Sequence, residues 1–381
     1  MPKIAVVLPP REFFRPADAG AIALTVYDFV KVSRFIDDLI VFGGHADHFY
    51  DIKYQYIHTK LHWLFGQNRA YARSCIAEIM RDDHLQLIEV HNRVALALTI
   101  KKALPKRQVA LHIHNDPHSM AGAKTALERE KLLRSLDMAY CVSHYVRDRL
   151  LDGVSDELHA RARVVYNAIS LSSVETDAPR QPWIVYAGRF IPEKGVLELA
   201  QALAHVLPLY PEWKAVFVGA RGFGDQAGQS KYEQSIYTEL AHVADQIEFR
   251  GHVQHEEVMR VFNQALIAVI PSTGAEAFGR TALEAMDAGC AVVTSASGGL
   301  KEVAGDAAII VNPVNQETLT MAMTQLMMNP ALRQNCAIKC QQYARDIFSL
   351  PVQASYLDQI RAELLVTVEA TCSNSVNNDS K

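Results

Sequence analysis

The sequence predicts an α/β protein built from two doubly wound, Rossmann-like domains in tandem. Short apolar runs alternate with helical patterns along the chain, which is typical of parallel sheets covered by helices. This alternation occurs twice, and a polar stretch at about residues 170–181 separates the two series. The chain has 381 residues, a length that suits two domains of ordinary size.

The first series starts with an apolar run over residues 3–8, which predicts a buried parallel strand. A loop to Gly20 and a helical pattern to about Ser33 follow. The other strands of this series are predicted at residues 38–42, 86–90, 108–114, 138–142 and 163–166. We therefore expect residues 1–168 to form an N-terminal domain.

The second series predicts a C-terminal domain over residues 169–344, with a helix at 193–207. Its strands are predicted at residues 183–187, 214–218, 246–249, 266–270, 291–294 and 307–311. We expect residues 345–366 to form a helix that packs back on the first domain, and residues 367–381 to be a polar, disordered tail. Ligands of such sheets bind at the carboxyl ends of the strands, so the cleft between the two sheets is the expected site.

Composition argues against several classes of protein. The six cysteines include no Cys-x-x-Cys pair, so we expect reduced thiols in a cytoplasmic protein. No run approaches 18 apolar residues, so no transmembrane helix is expected. The pI of about 6.4 and the absence of a basic stripe argue against a nucleic-acid partner.

The charge is distributed unevenly between the two halves. Residues 1–170 contain 23 Lys and Arg against 19 Asp and Glu, a net charge of +4. Residues 171–381 contain 15 against 23, which gives −8. The difference suggests that the halves bind different partners, with the basic half suited to an anionic ligand or membrane. The alternative is ordinary surface variation.

Residues 188–195, Gly-Arg-Phe-Ile-Pro-Glu-Lys-Gly, contain the first candidate binding motif. The motif follows a predicted strand and precedes a predicted helix. Gly188 permits a tight turn at the end of the strand. Arg189 and Lys194 place two cations beside a helix N-terminus, an arrangement that suits a diphosphate. The alternative is a surface loop with exposed charges.

The segment from Glu276 to Glu284 is the second candidate. Glu276 is predicted on a loop, and Glu284 about one turn inside the following helix. Two such carboxylates can accept hydrogen bonds from sugar hydroxyls at two points along an extended ligand. Backbone amides at Gly279, Arg280 and Thr281 can bind phosphate oxygens. By itself the spacing is weak evidence, since Glu284 alone would also fit a solvated helix residue.

Four motifs occur in one order along the second half: Gly188-Arg189 with Lys194-Gly195, Phe217-Val-Gly219, Glu276-Ala-Phe-Gly-x4-Glu284, and Ser297-Gly-Gly-x-x-Glu302. Together they resemble the donor half of glycosyltransferase family 4, the retaining GT-B enzymes. The similarity is close over residues 164–313 and looser before them. The resemblance implies the GT-B fold, in which two Rossmann-like domains face a central cleft, with the donor in the C-terminal domain and the acceptor side in the N-terminal one.

The resemblance also implies residue roles. Arg189 and Lys194 should bind the donor diphosphate and stabilise the leaving group. Glu276 should lie at the donor sugar, and Glu284 should bind the ribose hydroxyls. The other implied donor-site residues are Gly188, Gly219, Arg250, His252 and Val253 near the base, Phe278, Gly279, Arg280 and Thr281, with Gly298 and Gly299 shaping the wall.

On the acceptor side, the family has a glycine-containing loop after the first strand. Here that loop contains Gly20 and departs from the double-glycine version. Similar enzymes often place a strand-end histidine at the donor sugar, and we assign this role to His114. His91 is a second candidate, and a structural role is the alternative for both. Asp116 and His118 are candidate acceptor contacts.

We expect no cofactor and no metal. The chain contains no Asp-x-Asp motif, and its two cations with helix amides can neutralise a diphosphate instead. His58 and His62 have metal-ligand spacing, but no third ligand is evident. Cys336 and Cys340 are better explained as small buried residues.

The resemblance predicts retaining transfer from a nucleotide-diphosphate sugar, with UDP-sugars preferred, to a growing glycan or glycolipid such as lipopolysaccharide core. Front-face transfer and double displacement both stay open. The alternatives are a nucleotide-sugar epimerase on the same fold and an inert scaffold subunit of a glycan-assembly complex. The aromatic and basic stretch 50–65 suits peripheral contact with the cytoplasmic face of the inner membrane. A helix packed within the first domain is the other interpretation of that stretch.

Overall fold

The chain folds into two compact units, Met1–Ala168 with Leu350–Lys381 and Ile169–Ser349. A computed structural model describes residues 3–15, 19–49, 51–59, 67–170, 179–220 and 230–378, with side chains to Val366. The second unit ends at Ser349 rather than at the predicted residue 344. Most of the predicted linker, residues 171–178, lies outside the described residues.

The first unit contains a seven-stranded parallel sheet with the order β3-β2-β1-β4-β5-β6-β7. Its strands are β1 (Ile4–Val7), β2 (Leu39–Gly43), β3 (Tyr54–Tyr56), β4 (Leu87–His91), β5 (Gln108–Ile113), β6 (Met138–Cys141) and β7 (Ala162–Val164). The helices between them are α1 (Ala21–Val32), α2 (Gln67–Ile79), α3 (Val94–Ala103), α4 (Ala126–Ser135) and α5 (His144–Leu151). The strand order reverses between β1 and β4, so the ligand crevice of this sheet is expected beyond their carboxyl ends.

The second unit contains a six-stranded parallel sheet with the order β10-β9-β8-β11-β12-β13. Its strands are β8 (Gln181–Ala187), β9 (Lys214–Val218), β10 (Ile247–Gly251), β11 (Ala265–Ile270), β12 (Ala291–Ser295) and β13 (Ile309–Val311). Its helices are α6 (Val196–Val206), α7 (Lys231–Leu240), α8 (His255–Gln264), α9 (Arg280–Asp287), α10 (Leu300–Ala304), α11 (Gln316–Met328) and α12 (Pro330–Phe348). Here the order reverses between β8 and β11.

Central strands of both sheets are continuous apolar runs because helices cover both faces. All four residues of β1 are buried, as are the last four of β8. Each predicted strand is present, with its ends within two residues of the prediction. The missed strand is β3, where the sequence interpretation had weighed a packed helix. With only three residues at the sheet edge, β3 is too short to show alternation.

The last helix, α13 (Leu350–Asn378), returns the chain to the first unit, where it contacts α1, β4 and β5. Extended backbone at Ser349 separates it from α12. Pro351 lies in its first turn, where a missing N–H breaks no helical bond. The helix continues to Asn378, past residue 366, where the sequence predicted a polar, disordered tail to begin. No glycine or proline after Pro351 interrupts the helix.

None of the helices in the described part of the chain is both long and apolar enough to cross a membrane. The described cysteine side chains are buried and form no disulfide bond. They are Cys75, Cys141, Cys290, Cys336 and Cys340.

Candidate active site

In the second unit, two loops meet where the strand order reverses. One is the stretch 188–195 after β8, and the other follows β11 at Pro271. Gly195 has a φ of +65°, and a Cβ atom there would overlap the carbonyl oxygen of Pro271. A Cβ atom on Gly219, whose φ is +121°, would overlap the carbonyl oxygen of Gly188. Only glycine allows these approaches, so Gly195 lets the two loops meet, and Gly219 lets the end of β9 approach Gly188.

Lys194 and Glu276 form an ion pair across these loops, between Nζ and Oε1. Ser272 donates a 2.7 Å hydrogen bond to the same oxygen. An ammonium has three N–H donors, so two remain for a ligand. Among the described residues, no side chain donates to Oε2 of Glu276. Both side chains of the pair are partly exposed, so the pair can contact a ligand without losing its own bond.

The Gly-Gly turn packs directly on the backbone of Glu276. The amide of Gly299 donates to the Glu276 carbonyl at 2.8 Å, and Glu276 and Gly298 form a parallel bridge. Gly298 has a φ of +58°, and any side chain there would overlap that carbonyl oxygen. The turn therefore fixes the backbone that carries the Glu276 carboxylate.

Helix α9 begins immediately after this loop. Gly279 precedes it with a φ of +113°, and a Cβ atom there would lie 2.5 Å from the Leu300 side chain. The amides of Ala282 and Leu283 both donate to the Gly279 carbonyl, so the helix does not use the amide of Thr281. The Phe278 side chain is buried, so only its backbone can line the site.

Glu284 is buried one turn inside α9, where Oε1 lies 3.3 Å from Arg280 Nε and 3.2 Å from His255 Nε2. Burial raises the pKa of Glu284, but the bond to His255 and the charge of Arg280 outweigh it and lower the pKa below its ordinary value. The same bond raises the pKa of His255. Among the described residues, no side chain donates a hydrogen bond to Oε2 of Glu284, so one oxygen of this charged carboxylate still has capacity to accept a hydrogen bond.

Sequence reasoning missed His255 and Ser272. His255 is the first residue of α8, just after the stretch 250–253 that was predicted to lie near the base. The contact joins residues 29 positions apart, and no spacing rule predicts it. Glu284 is therefore in contact with a residue that lies two positions after the 250–253 stretch.

The two arginines of the predicted donor site differ in their surroundings. Arg250 pairs with Glu248 at 2.7 Å and Glu257 at 3.0 Å, and its guanidinium lies over the Trp183 ring. Arg189 is exposed, and none of the described residues accepts a hydrogen bond from its side chain. Arg250 is therefore held by internal partners and Arg189 is open to a ligand, and the donor-site role of both stays a prediction. His252 and Val253 lie in the loop between β10 and α8.

In the first unit, His114 follows β5 and lies beside His91, with 3.0 Å between His114 Nε2 and His91 Nδ1. His91 stacks on His112, whose Nε2 lies 3.7 Å from Glu89. Burial lowers the pKa of both His91 and His112, so these two rings are neutral near pH 7. The predicted catalytic histidine is therefore the end of a chain of imidazoles that starts in the core.

A buried ion pair anchors that chain. Arg361 of α13 binds both oxygens of Glu89, at 3.0 and 2.7 Å, and also binds Asp358 at 2.9 Å. Burial alone would raise the pKa of Glu89, but Arg361 and His112 lower it to about 2. Asp358 in turn accepts a 2.7 Å hydrogen bond from Ser33. The network ties the C-terminal helix to the histidines.

One nitrogen from each of His91, His112 and His114 lies within 4.8 Å of the others, close enough for a metal site. The rings of His91 and His112 are nearly parallel, with an angle of 10° and centroids 4.1 Å apart. Lone pairs of stacked imidazoles lie in parallel planes and do not converge on one ion. The geometry instead shows one hydrogen bond, between His91 and His114, and a stacking contact between His91 and His112. His62 of the other predicted histidine pair lies outside the described residues.

The predicted acceptor residues contact the end of α5. Asp116 makes a two-pronged ion pair with Arg149, at 3.0 and 2.8 Å, and caps the amide of His118. His118 lies 3.0 Å from the Arg149 carbonyl and 3.3 Å from Asp152. These contacts give both side chains a structural role, and their acceptor role stays a prediction.

Gly20 lies at the N-terminus of α1, where Glu12 accepts a 3.2 Å hydrogen bond from the Ala23 amide. A carboxylate already occupies the positive end of this helix, which disfavours a phosphate there. The role predicted for Gly20 in donor binding gains no support from this geometry. Residues 16–18 of the same loop lie outside the described residues.

Comparison with known proteins finds a family match within the second unit. Residues 172–343 match the family Glycosyl transferases group 1. YtcC of Bacillus subtilis (strain 168) is 26% identical over 248 residues, which are 61% of this chain and 60% of YtcC. The lipopolysaccharide 1,2-N-acetylglucosaminetransferase of Salmonella typhimurium (strain LT2) is 23% identical over 57% of this chain and 56% of its own length. The chain therefore spans less than two thirds of each of these two relatives.

Two solved structures resemble the whole chain. HepE from Anabaena, solved in complex with UDP and glucose, has a TM-score of 0.75 at 18% identity and covers 95% of this chain and 100% of its own. Sucrose-phosphate synthase from Thermosynechococcus elongatus has a TM-score of 0.74 at 18% identity, with 96% and 100% covered. At this identity the likeness establishes the fold. The chain has the GT-B fold, with two Rossmann-like parallel-sheet domains, and residues 172–343 match the glycosyl transferases group 1 family.

Proposed function

We propose that this protein is a retaining glycosyltransferase of family 4 that transfers a sugar from a nucleotide-diphosphate sugar to a glycan or glycolipid. The observation that carries the proposal is the hydrogen bonding of two carboxylates in the second unit. Glu276 and Glu284 each have one oxygen held by internal donors and the other available to a hydroxyl. Two such acceptors suit the sugar and the ribose of one extended donor.

Charge stabilisation supports the same proposal. Cleavage of the sugar–phosphate bond leaves negative charge on the diphosphate, and preorganised donors lower the barrier for that step. Lys194 retains two N–H donors beside its bond to Glu276, and Arg189 is exposed next to it in the loop. The amide of Thr281 at the start of α9 adds a neutral donor.

His114 supplies a polar contact for the transferred sugar. Its partner His91 is buried and neutral, so the 3.0 Å bond between them orients His114 without adding a charge. A neutral imidazole can exchange hydrogen bonds with a sugar hydroxyl in either direction, depending on its tautomer. We assign His114 to the donor sugar on this basis.

A UDP-sugar is the donor we propose. A structural relative, HepE from Anabaena, has been solved with UDP and glucose. A thermal-shift panel of UDP-, GDP- and ADP-sugars tests the proposal, because a ligand bound only by the folded state raises the melting temperature. The largest shift is expected with a UDP-sugar. A panel without any shift would contradict donor binding.

We propose that transfer needs no metal ion, since Lys194, Arg189 and the α9 amide can neutralise the diphosphate. Full activity in EDTA is the expected result, and activity lost in EDTA and restored by manganese would contradict it. We also propose front-face transfer with retention. Proton NMR of the first product should show the anomeric configuration of the donor, and a trapped glycosyl-enzyme adduct would instead indicate double displacement.

The acceptor we propose is a growing surface glycan or glycolipid at the cytoplasmic face of the inner membrane. Lipopolysaccharide appears in the names of two relatives, among them the core mannosyltransferase LpcC of Rhizobium leguminosarum bv. viciae, 29% identical over 50% of this chain. In the stretch 50–65, Lys53 bonds the Asp37 carbonyl, while Lys60 lies outside the described residues. Sedimentation with anionic liposomes at low salt is the test, and no binding would remove the membrane contact.

A further inference from the structure

The first unit contains a cavity of about 20 Å³ that is lined by His91, His112 and His114. Its other walls come from β1, β6, α1 and α13, and most of their side chains at the cavity are apolar. A cavity of this size has room for one water molecule, which is retained when about three polar groups surround it. The polar groups of the lining therefore decide what the cavity can hold.

Two of these polar groups are buried without a partner. The Tyr140 hydroxyl and Nε2 of His112 both lack a hydrogen bond within the described part of the chain. Tyr140 is 1% exposed and His112 is 8% exposed. His112 Nε2 lies 3.7 Å from Glu89, which is too far for a hydrogen bond. Buried polar groups nearly always have a partner, so these two call for one that the protein itself does not supply.

The two groups lie on the same face of the sheet. His112 of β5 is the register partner of Tyr140 of β6, and their ring centroids are 4.4 Å apart. Neighbouring residues in register project from one face. Both side chains line the cavity, so one occupant can reach both of them.

Arg361 of α13 supplies a third polar group to the lining. Its Nε and Nη2 donate to the two oxygens of Glu89, and its Nη1 donates to Ser33 and Asp358. Nη2 carries a second N–H, for which no acceptor is found among the residues that the structure describes. This N–H can therefore serve the cavity.

The chemistry of these groups favours a neutral occupant. Burial raises the pKa of the Tyr140 phenol and lowers that of His112, so both are uncharged near pH 7. The Arg361 guanidinium in the lining repels a metal cation, and a polyatomic anion is larger than the cavity. A water molecule donates and accepts hydrogen bonds, so it can serve the hydroxyl, the imidazole nitrogen and the N–H together.

We propose that this cavity binds one ordered water molecule, held by Tyr140, His112 and Arg361, and that Tyr140 is thereby a positioning residue for His114. The water fixes the ring orientation and tautomer of His112. His112 stacks on His91 with centroids 4.1 Å apart, and His91 in turn bonds His114 at 3.0 Å. The effect of Tyr140 on turnover rests on the proposed function of His114, whereas the water site does not depend on it.

A crystal structure of the full chain, at a resolution that shows ordered water, tests the site. We expect one water peak at about 2.5–3.2 Å from both the Tyr140 oxygen and His112 Nε2. Absence of a peak, a direct bond between these two atoms, or the anomalous signal of a metal ion at this position would overturn the site.

Two tyrosine variants locate the water. The Tyr140→Phe variant should lose the water peak, because the hydroxyl that holds it is gone. Tyr71→Phe is the matched control, since Tyr71 is equally buried in the same unit, its hydroxyl donates to the Leu8 carbonyl at 3.2 Å, and it does not line this cavity. A water peak that persists in Tyr140→Phe, or that disappears in the control, would refute the assignment of Tyr140.

Kinetics of the same variants test the positioning role. Tyr140→Phe should lower kcat about two- to tenfold, the equivalent of one hydrogen bond, and leave the KM for the donor nearly unchanged. Tyr71→Phe should keep the wild-type kcat. The concentration of folded protein comes from the stoichiometry of donor titration, so that a loss of stability alone does not lower kcat. An unchanged kcat in Tyr140→Phe, or an effect on KM alone, would overturn the positioning role.

The two kinds of measurement separate this inference from the proposed function. A wild-type protein that neither binds nor transfers a nucleotide sugar would refute the proposed function, and the water peak would still decide the site. Donor transfer by a wild-type protein without that peak would refute the water site alone.

Discussion

The two sheets reverse their strand order at equivalent positions, but the charges there are arranged differently. In the second unit, Lys194 pairs with Glu276 and Arg280 with Glu284, so cations and carboxylates neutralise each other at the site. In the first unit, the cations Arg69 and Arg93 line a separate cavity without a carboxylate. An ion pair of the same unit, Arg361 with Glu89, is buried in the core.

This difference shows that topology fixes where a ligand binds, while local charge decides which ligand. The second half of the chain has a net charge of −8, yet the diphosphate site that we propose there contains two cations, Lys194 and Arg189. The first half has +4 and presents open guanidinium groups. For the second half, the overall charge is a poor guide to the charge of the proposed site, and the pairing of individual groups is a better one.

The largest effect is expected from breaking the buried pair of the first unit. Arg361→Met should lower the free energy of unfolding by about 3–5 kcal/mol, because it leaves Glu89 and Asp358 charged and buried without their partner. Urea denaturation followed by circular dichroism measures the change. Arg134→Met is the control, since Arg134 pairs with Glu130 at a more exposed position of the same unit, and an equal loss there would contradict the account.

Removal of the site cation in the second unit should affect chemistry and spare stability. Lys194→Ala should lower kcat/KM by about 100- to 1,000-fold, because it deletes a donor to the charge that develops on the diphosphate. Steady-state kinetics with the best donor of the panel measures it. Lys214→Ala, at the opposite end of the same sheet, should leave the rate unchanged. Comparable rates in the two variants would refute the assignment of Lys194.

Variants of Glu284 and His114 should separate donor binding from turnover. Glu284→Ala should weaken nucleotide-sugar binding by about 10- to 100-fold, because a charged acceptor for a hydroxyl is lost. His114→Ala should lower kcat with little change in donor affinity. Calorimetry and initial rates on both variants are the measurements. The reverse pattern would mean that the two roles are exchanged.

The smallest effect concerns the pH dependence of the pair between His255 and Glu284. The raised pKa of His255 gives a stabilisation that is complete below pH 6.5 and is lost as pH rises through the folded-state value. The lowered pKa of Glu284 gives a second stabilisation, which is complete above pH 4.5 and is lost as pH falls through the folded-state value. The melting temperature of wild type minus that of His255→Ala should therefore be largest between these values. A difference that is independent of pH would contradict the pair.

Much of this architecture was predictable from sequence because it depends on local patterns. Continuous apolar runs mark buried parallel strands, and the glycines at positions 195, 219 and 279 mark places where backbone or side chains approach closely. The sequence predicted Lys194 and Glu276 as site residues, but it did not predict the ion pair between them.

Other features depend on contacts between distant residues. His255 reaches Glu284 across 29 positions, and Arg361 reaches Glu89 across 272. No periodicity carries such information. The cavity that Arg69 and Arg93 line combines α2, α3 and three strand ends, so these two residues gave no signal in the sequence. The ion pairs of Arg250 with Glu248 and Glu257 were not predicted either, because they become visible only in the fold.

The most direct test of the donor site is calorimetric titration of UDP-sugars into the wild-type protein and the Glu284→Gln variant. Glutamine keeps the size of the side chain but removes the charge that His255 and Arg280 hold in place. We expect saturable binding of at least one UDP-sugar to the wild type and clearly weaker binding to the variant. Equal binding to both proteins, or no binding of any nucleotide sugar, would contradict the account.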